Sequence, residues 1–203
     1  MGDFSQNGFV TTLHNFGTKS VAQFEAELKT FSGYRPMELI LLSLYAELEG
    51  PALKHIVEQF SQVDYIGHVV SGLDKADRGQ FEHASEFFKG LHKPFSLLWN
   101  DGPRLQAIHQ ELADKQLAPK EPGKGRNVWY CIGLTHARGK ADAVALHDCD
   151  ITTYDRSLLA RLFYPIANPN FQFEFCKGYY ARVADGRMNG RVSRLLVTPL
   201  LLA

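Results

Sequence analysis

The sequence predicts an α/β protein with an open, twisted, mainly parallel sheet flanked by helices. Three observations lead there. Met37–Leu44 (MELILLSL) is an almost unbroken apolar run, the mark of a strand buried on both faces. Segments with helical periodicity alternate with short apolar runs along the chain, the pattern of βαβ units. The composition, 45% hydrophobic and 22% charged over 203 residues, is that of an ordinary globular domain. A chain of this length buries roughly 70% of its unfolded surface, so its core needs no disulfide or metal staple.

Residues 1–36 read as an arm followed by a helix. Ser20 and Gln23 have capping-box spacing, and Val21, Phe24, Leu28 and Phe31 recur at helical intervals until Gly33 and Pro36. After the strand at 37–44, Gly50–Phe60 is a helix with Pro51 in its first turn. Tyr65–Val70 is a second strand. Asp77 caps a helix that turns Phe81, Ala84, Phe87 and Phe88 inward and stops before Gly90. Phe95–Trp99 is a third strand, Pro103–Leu112 a helix, and Leu117–Gly125 a turn-rich stretch before a helix from Arg126 to Ala137. Ala143–His147 is the fourth strand and Asp155–Phe163 a helix. The aromatic alternation of Phe171–Val183 predicts a long strand or hairpin, and Asn189–Gly190 a turn. The apolar close, with Leu195, Leu196, Leu200, Leu201 and Leu202, needs a surface to pack on. It predicts either a fragment or a homodimer formed through this C-terminal segment.

Several function classes are excluded. Lys and Arg number 22, and so do Asp and Glu, leaving no basic field for nucleic-acid binding. No apolar run reaches the ~20 residues of a membrane span, and Met1–Asn15 has no signal-peptide core. Cys131, Cys149 and Cys176 form neither a disulfide framework nor a zinc-site spacing, so reduced thiols in a cytoplasm are expected. Neither GxGxxG nor GxxxxGK[ST] occurs.

Open parallel sheets bind ligands beyond the carboxyl ends of their strands. Here those ends carry Ser43–Glu49, Ser71–Asp77 and Asp148-Cys149-Asp150, all polar or acidic and all expected on one edge. Two carboxylates two residues apart at a strand end suit Mg²⁺ or Mn²⁺; otherwise they are a surface turn in which Asp150 or Asp155 caps the next helix. Pro122-Gly123-Lys124-Gly125, just before a helix, offers backbone amides and an ammonium to an anion, or is an ordinary turn. Arg191 in Gly186–Arg191 (GRMNGR) either clamps a carboxylate or phosphate or sits on a hairpin tip. His147 either lines the acidic end or packs beneath it, and Cys149 has no base at readable spacing to make it a nucleophile.

In order, these pieces are LLSLYAELEGPAL, SGLDKAD, PGKG, DCD, KGYYARV and GRVSRLLVTPLL. The set resembles the GT-A fold glycosyltransferases, within them the retaining glucosyl-3-phosphoglycerate and mannosyl-3-phosphoglycerate synthase group, from about Met37 to Ala203. The resemblance implies a GT-A nucleotide-sugar-binding domain at 37–203 that lacks the family's C-terminal part, with its His metal ligand and further acceptor pocket. It implies transfer of a hexose from UDP-glucose or GDP-mannose to a small anionic acceptor such as 3-phosphoglycerate, with Mg²⁺ or Mn²⁺. Ser43, Leu44 and Glu47, then Gly72 and Asp74, would hold the donor. Lys124 would contact the nucleotide. Asp148 would take ribose and metal, and Asp150 chiefly the metal. Gly190, Arg191, Val192 and Ser193 would bind the acceptor, making Asp150, Lys124 and Arg191 the catalytic set. Retention would need no protein nucleophile.

This chain departs from the family pattern at three places: Leu42 or Ser43 replaces a Pro, Ser193 a Thr, and Ser71 an acidic residue. A truncated or non-catalytic nucleotide-sugar binder is the alternative. A sugar-1-phosphate nucleotidyltransferase would need a basic glycine-rich loop where Tyr45–Gly50 is acidic.

Overall fold

The computed structural model describes residues 13, 16, 19–171 and 173–178, with the backbone of 182–184 and 187–189. Helix α1 (Val21–Ser32) opens with the expected capping box. The Gln23 amide donates to Ser20 Oγ at 3.3 Å, and the Ser20 amide to Gln23 Oε1 at 2.8 Å.

The main sheet runs β3-β2-β1-β4, all parallel: β1 (Met37–Leu44), β2 (Ile66–Asp74), β3 (Phe95–Trp99) and β4 (Ala143–Asp148). The apolar run 37–44 is thus a central strand with neighbours on both sides. The connecting helices are α2 (Tyr45–Glu49), α3 (Pro51–Ser61), α4 (Arg78–Phe88), α5 (Pro103–Asp114), α6 (Lys124–Arg138) and α7 (Arg156–Ala167).

Side chains alternate across a strand, so β1 serves two cores. Met37, Leu39 and Leu41 enter the larger one, with Phe24 and Leu28 of α1, Ile56 and Phe60 of α3, Phe88 of α4 and Phe163 of α7. Ile40 and Leu42 face the other way, with Val70 of β2 and Cys131 of α6. Helix α6 lies very close to β2. A Cβ on Gly72 would stand 1.7 Å from Asn127 Oδ1 and 2.6 Å from Cys131 Sγ. The Asn127 amide group donates to the Gly72 carbonyl at 2.9 Å across that gap.

The stretch after β1, for which the sequence predicts no element, is the short helix α2, which the Leu44 amide helps to close by donating to Glu47 Oε2 at 2.8 Å. Four expectations change. Strand β2 runs on to Asp74, so Gly72 and Asp74 lie within it. Helix α6 begins at Lys124, which puts that lysine in the first turn rather than before it. The stretch Phe171–Val183, expected as a long strand or hairpin, is not a strand at 171 and 173–178, whereas Arg182 and Val183 are strand residues. Its Phe171 amide closes a turn on the Asn168 carbonyl, and its ring packs edge-on against Tyr164 of α7. Phe171 is thus spent on a helix face, while Phe175 is exposed. An antiparallel pair, β5 (Arg182–Ala184) and β6 (Arg187–Asn189), follows. Asn189, expected in a turn, is a strand residue paired with Arg182. The apolar segment 192–202 and its expected dimer contact lie outside the described residues. No described helix is long and apolar enough to cross a membrane.

The Gly72 contact predicts an asymmetry between two glycines. Gly72→Ala forces Asn127 and Cys131 aside and is expected to cost about 1–3 kcal/mol. Gly125→Ala, with nothing within 4 Å of its Cβ, is expected to stay within about 0.5 kcal/mol of the parent. Urea unfolding of the two variants measures the contrast.

Candidate functional site

The register brings the strand ends together. Leu44 of β1 pairs with Asp74 of β2, and Leu42 with Asp148 of β4, so three carboxyl ends stand side by side with that of β1 in the middle. Ser43 is buried, its hydroxyl 3.4 Å from both the Gly72 carbonyl and Ser71 Oγ. Leu44 is partly exposed and forms the floor of the rim.

Helix α6 arrives over this floor. Gly123 precedes it with φ +122°, a conformation a side chain would strain, and the first intrahelical bond is Asn127 N–H to the Gly123 carbonyl at 3.1 Å. The amides of Lys124, Gly125 and Arg126 therefore lack intrahelical acceptors, as at any helix start. Open space surrounds Gly123 and Gly125. The Lys124 ammonium stands 2.5 Å from Asp148 Oδ1, so the anion turn and the acidic strand end meet.

Asp155, not Asp150, caps α7, accepting the Ser157 amide at 2.8 Å. That leaves Asp150 exposed at the tip. Burial raises the Glu47 carboxyl above its ordinary value, and Asp150 and Asp148 add to the rise against the Leu44 amide and Lys124. Three carboxyl groups thus share one region with one ammonium. Among the described residues no group of three or more His, Cys, Asp and Glu side chains is arranged to hold a metal ion by itself. Asp150 and Asp148 are the residues that would offer hard oxygens to Mg²⁺ or Mn²⁺.

Two neighbours drop out as chemical groups. His147 points to the opposite face, against the rings of Phe60 and Tyr154 at 6.3 and 5.4 Å. Burial there pushes its pKa down to about 4 and keeps it neutral. Cys149 is buried, and burial first, then Glu47, Asp148 and Asp150, raise its thiol well above the usual range. It is an unreactive core residue.

The carboxylate of Asp74 is turned inward. Asn100 Nδ2 donates to its Oδ1 at 2.7 Å, and Arg126 of α6 lies 3.5 Å from the same oxygen. Sequence reading missed Arg126, Asn100 and Asn127. The available signal was small: two cations flank Gly125 in a first turn that has no acid. Gly190, Arg191, Val192 and Ser193 lie outside the residues whose side chains the structure describes.

A carboxyl raised by folding costs stability once it ionises. For Glu47 the penalty is absent below 4.5 and grows as pH rises through the folded pKa. Glu47→Gln keeps an acceptor for the Leu44 amide. It is expected to be more stable than the parent at neutral pH in chelator, with the difference vanishing well below pH 4.5. Denaturant midpoints at the two pH values check the sign.

No family model matches the chain. It is 43% identical over its full 203 residues to a glucosyl-3-phosphoglycerate synthase of Persephonella marina, covering 50% of that protein. It is 38% identical over 202 residues to one of Methanococcoides burtonii, covering 49%. Among solved structures it is similar to glucosyl-3-phosphoglycerate synthase from Mycobacterium tuberculosis in complex with UDP. The TM-score is 0.56 at 18% identity, over 94% of this chain and 56% of the other. The complex of that enzyme with Mn²⁺, UDP and glucosyl-3-phosphoglycerate gives a TM-score of 0.51 at 17% identity, over 77% of this chain and 47% of the other. Over its whole length the chain is thus similar to glucosyl-3-phosphoglycerate synthases; it has the GT-A fold and spans about half the length of the curated relatives it matches.

Proposed function

We propose that this chain is the nucleotide-sugar-binding portion of a retaining glucosyltransferase that moves glucose from UDP-glucose to 3-phosphoglycerate. The observation that carries the reading is the meeting of Lys124, at the amino end of α6, with Asp148, beside Asp150 and Glu47 on the rim of a parallel sheet. The names of the curated relatives support glucose over mannose and phosphoglycerate as acceptor. The UDP held by solved neighbours of the same fold supports the uridine nucleotide.

The chemistry follows from charge. Breaking the bond between glucose and diphosphate leaves negative charge on the departing oxygens. Unpaired amides and an ammonium at a helix start stabilise that charge without reorganising. Lys124 and the first turn of α6 take this role, over a floor formed by Leu44. Glu47 closes the turn behind Leu44, while Ser43 and Gly72 shape the strand ends. Asp150 first, and Asp148 with it, would hold a divalent cation, and Asp148 would also reach the ribose. Bound there, Mg²⁺ or Mn²⁺ supplies charge neutralisation for the leaving diphosphate. The crowding of acids that raises Glu47 fits such a cation. Gly190, Arg191, Val192 and Ser193 are proposed for the acceptor's phosphate and carboxylate, on their sequence pattern alone. With no nucleophile assigned, the acceptor hydroxyl attacks on the face the diphosphate vacates, its proton passes to the departing diphosphate oxygen, and configuration is retained.

The length relative to the homologues favours a second reading, a nucleotide-sugar binder without turnover of its own. Incubation with UDP-glucose and Mn²⁺, with and without 3-phosphoglycerate, separates the two. UDP released only with the acceptor is expected for the enzyme, and binding without release selects the binder. In calorimetry, Asp150→Ala is expected to remove the Mn²⁺-dependent part of UDP binding. Lys124→Met is expected to weaken UDP about tenfold, the scale of one charge-assisted contact. Failure of the parent chain to bind UDP would end both readings.

A further inference from the structure

The first turn of α6 poses an electrostatic problem. It carries Lys124 and Arg126 and no acid, although a helix start already holds positive partial charge. Two strand ends compensate. Asp148 of β4 meets Lys124, and Asp74 of β2 meets Arg126, so the two ion pairs stand on either side of the end of β1.

The two pairs differ in kind. Lys124 and Asp148 are 61% and 38% exposed, so water can replace either partner. Arg126 and Asp74 are 17% and 6% exposed, and the same Asp74 oxygen is fixed by Asn100, itself fully buried at the end of β3. Next along the helix, Asn127 grips the Gly72 carbonyl. Arg126 Nε is buried without a partner, so the guanidinium holds its place through Asp74 rather than through solvent.

We infer that Arg126 is a positioning residue for the anion-binding turn. Through Asp74 and Asn100 it pins the start of α6 to the ends of β2 and β3. The three unpaired amides and the Lys124 ammonium then stay aimed at the rim when Lys124 exchanges Asp148 for a diphosphate. Arg126 does not touch the nucleotide, and its effect reaches the ligand only through the turn it holds. The inference rests on the nucleotide-sugar reading above and adds to it a residue outside the PGKG motif.

The test uses the full chain and two probes, UDP and uridine, the second lacking the diphosphate. Arg126→Met is expected to weaken UDP about tenfold and to leave uridine within about twofold. In a Lys124→Met background the same change should cost UDP affinity less than in the parent, because the two residues act through one turn whose amides remain. Arg126→Lys, which keeps the charge, should recover part of the loss. Arg126→Met alone leaves a buried carboxylate, so Asp74→Asn/Arg126→Met, which removes the pair together, is measured beside it and should show the same selective loss. Equal loss of UDP and uridine would mean general damage and overturn the inference, as would unchanged UDP affinity or full additivity with Lys124→Met. If Lys124→Met weakens UDP while Arg126→Met does not, this inference fails and the nucleotide-sugar reading stands. If the parent binds no UDP, both fall.

Discussion

How closely α6 lies on β2 governs the rest of the rim. That approach is possible because Gly72 has no side chain, and it is held by the Asn127 bond to the Gly72 carbonyl. A helix set one side chain further out would still cover Ile40, Leu42 and Val70. Its amino end, however, would stand off the strand ends, and Lys124 would lose its reach to Asp148. One missing Cβ thus couples the smaller core to the position of an ammonium.

Sheet order does the remaining work. Because β1 lies between β2 and β4, acids on the two flanking strands stand on either side of the floor made by Leu44. The parallel arrangement puts every strand's carboxyl end on the same edge. The odd–even alternation then sorts neighbours in sequence into different jobs. Asp148 reaches the rim, while His147, one residue earlier, is buried against Phe60 and Tyr154. Cys149 between the acids is sealed in the core.

Features with local causes were legible in the sequence. The capping box at Ser20, the cap at Asp77 and the apolar run of β1 each depend on residues within a few positions. The polar strand ends and the PGKG turn were legible for the same reason. Features that depend on distant partners were not. Asp74, Asn100 and Arg126 are spread over three elements, and nothing near any one of them announces the others. The five-residue helix α2 is too short for periodicity to reveal and is closed by one backbone bond to Glu47. The aromatic stretch after Phe171 shows the opposite failure. Its alternation is real, but Phe171 packs on Tyr164 of α7, and among its described residues Arg182 and Val183 are the ones that pair with a strand.

The unequal burial of the two ion pairs has a thermodynamic consequence for ligand exchange. An exposed pair such as Lys124–Asp148 contributes about 0–1 kcal/mol, so an incoming anion loses little by displacing Asp148 from Lys124. On the proposed reading, displacement also frees an acid on the side assigned to a cation. The buried pair cannot yield in this way, because separating Arg126 from Asp74 strands a charge among groups already withdrawn from water. On the proposed nucleotide-sugar reading, one pair serves as a replaceable stand-in for the ligand and the other as a fixed anchor. A turn with two exposed pairs would have to be ordered at each binding event, and a turn with two buried pairs would have no ammonium to offer. The observed combination keeps the helix start rigid while leaving its charge available.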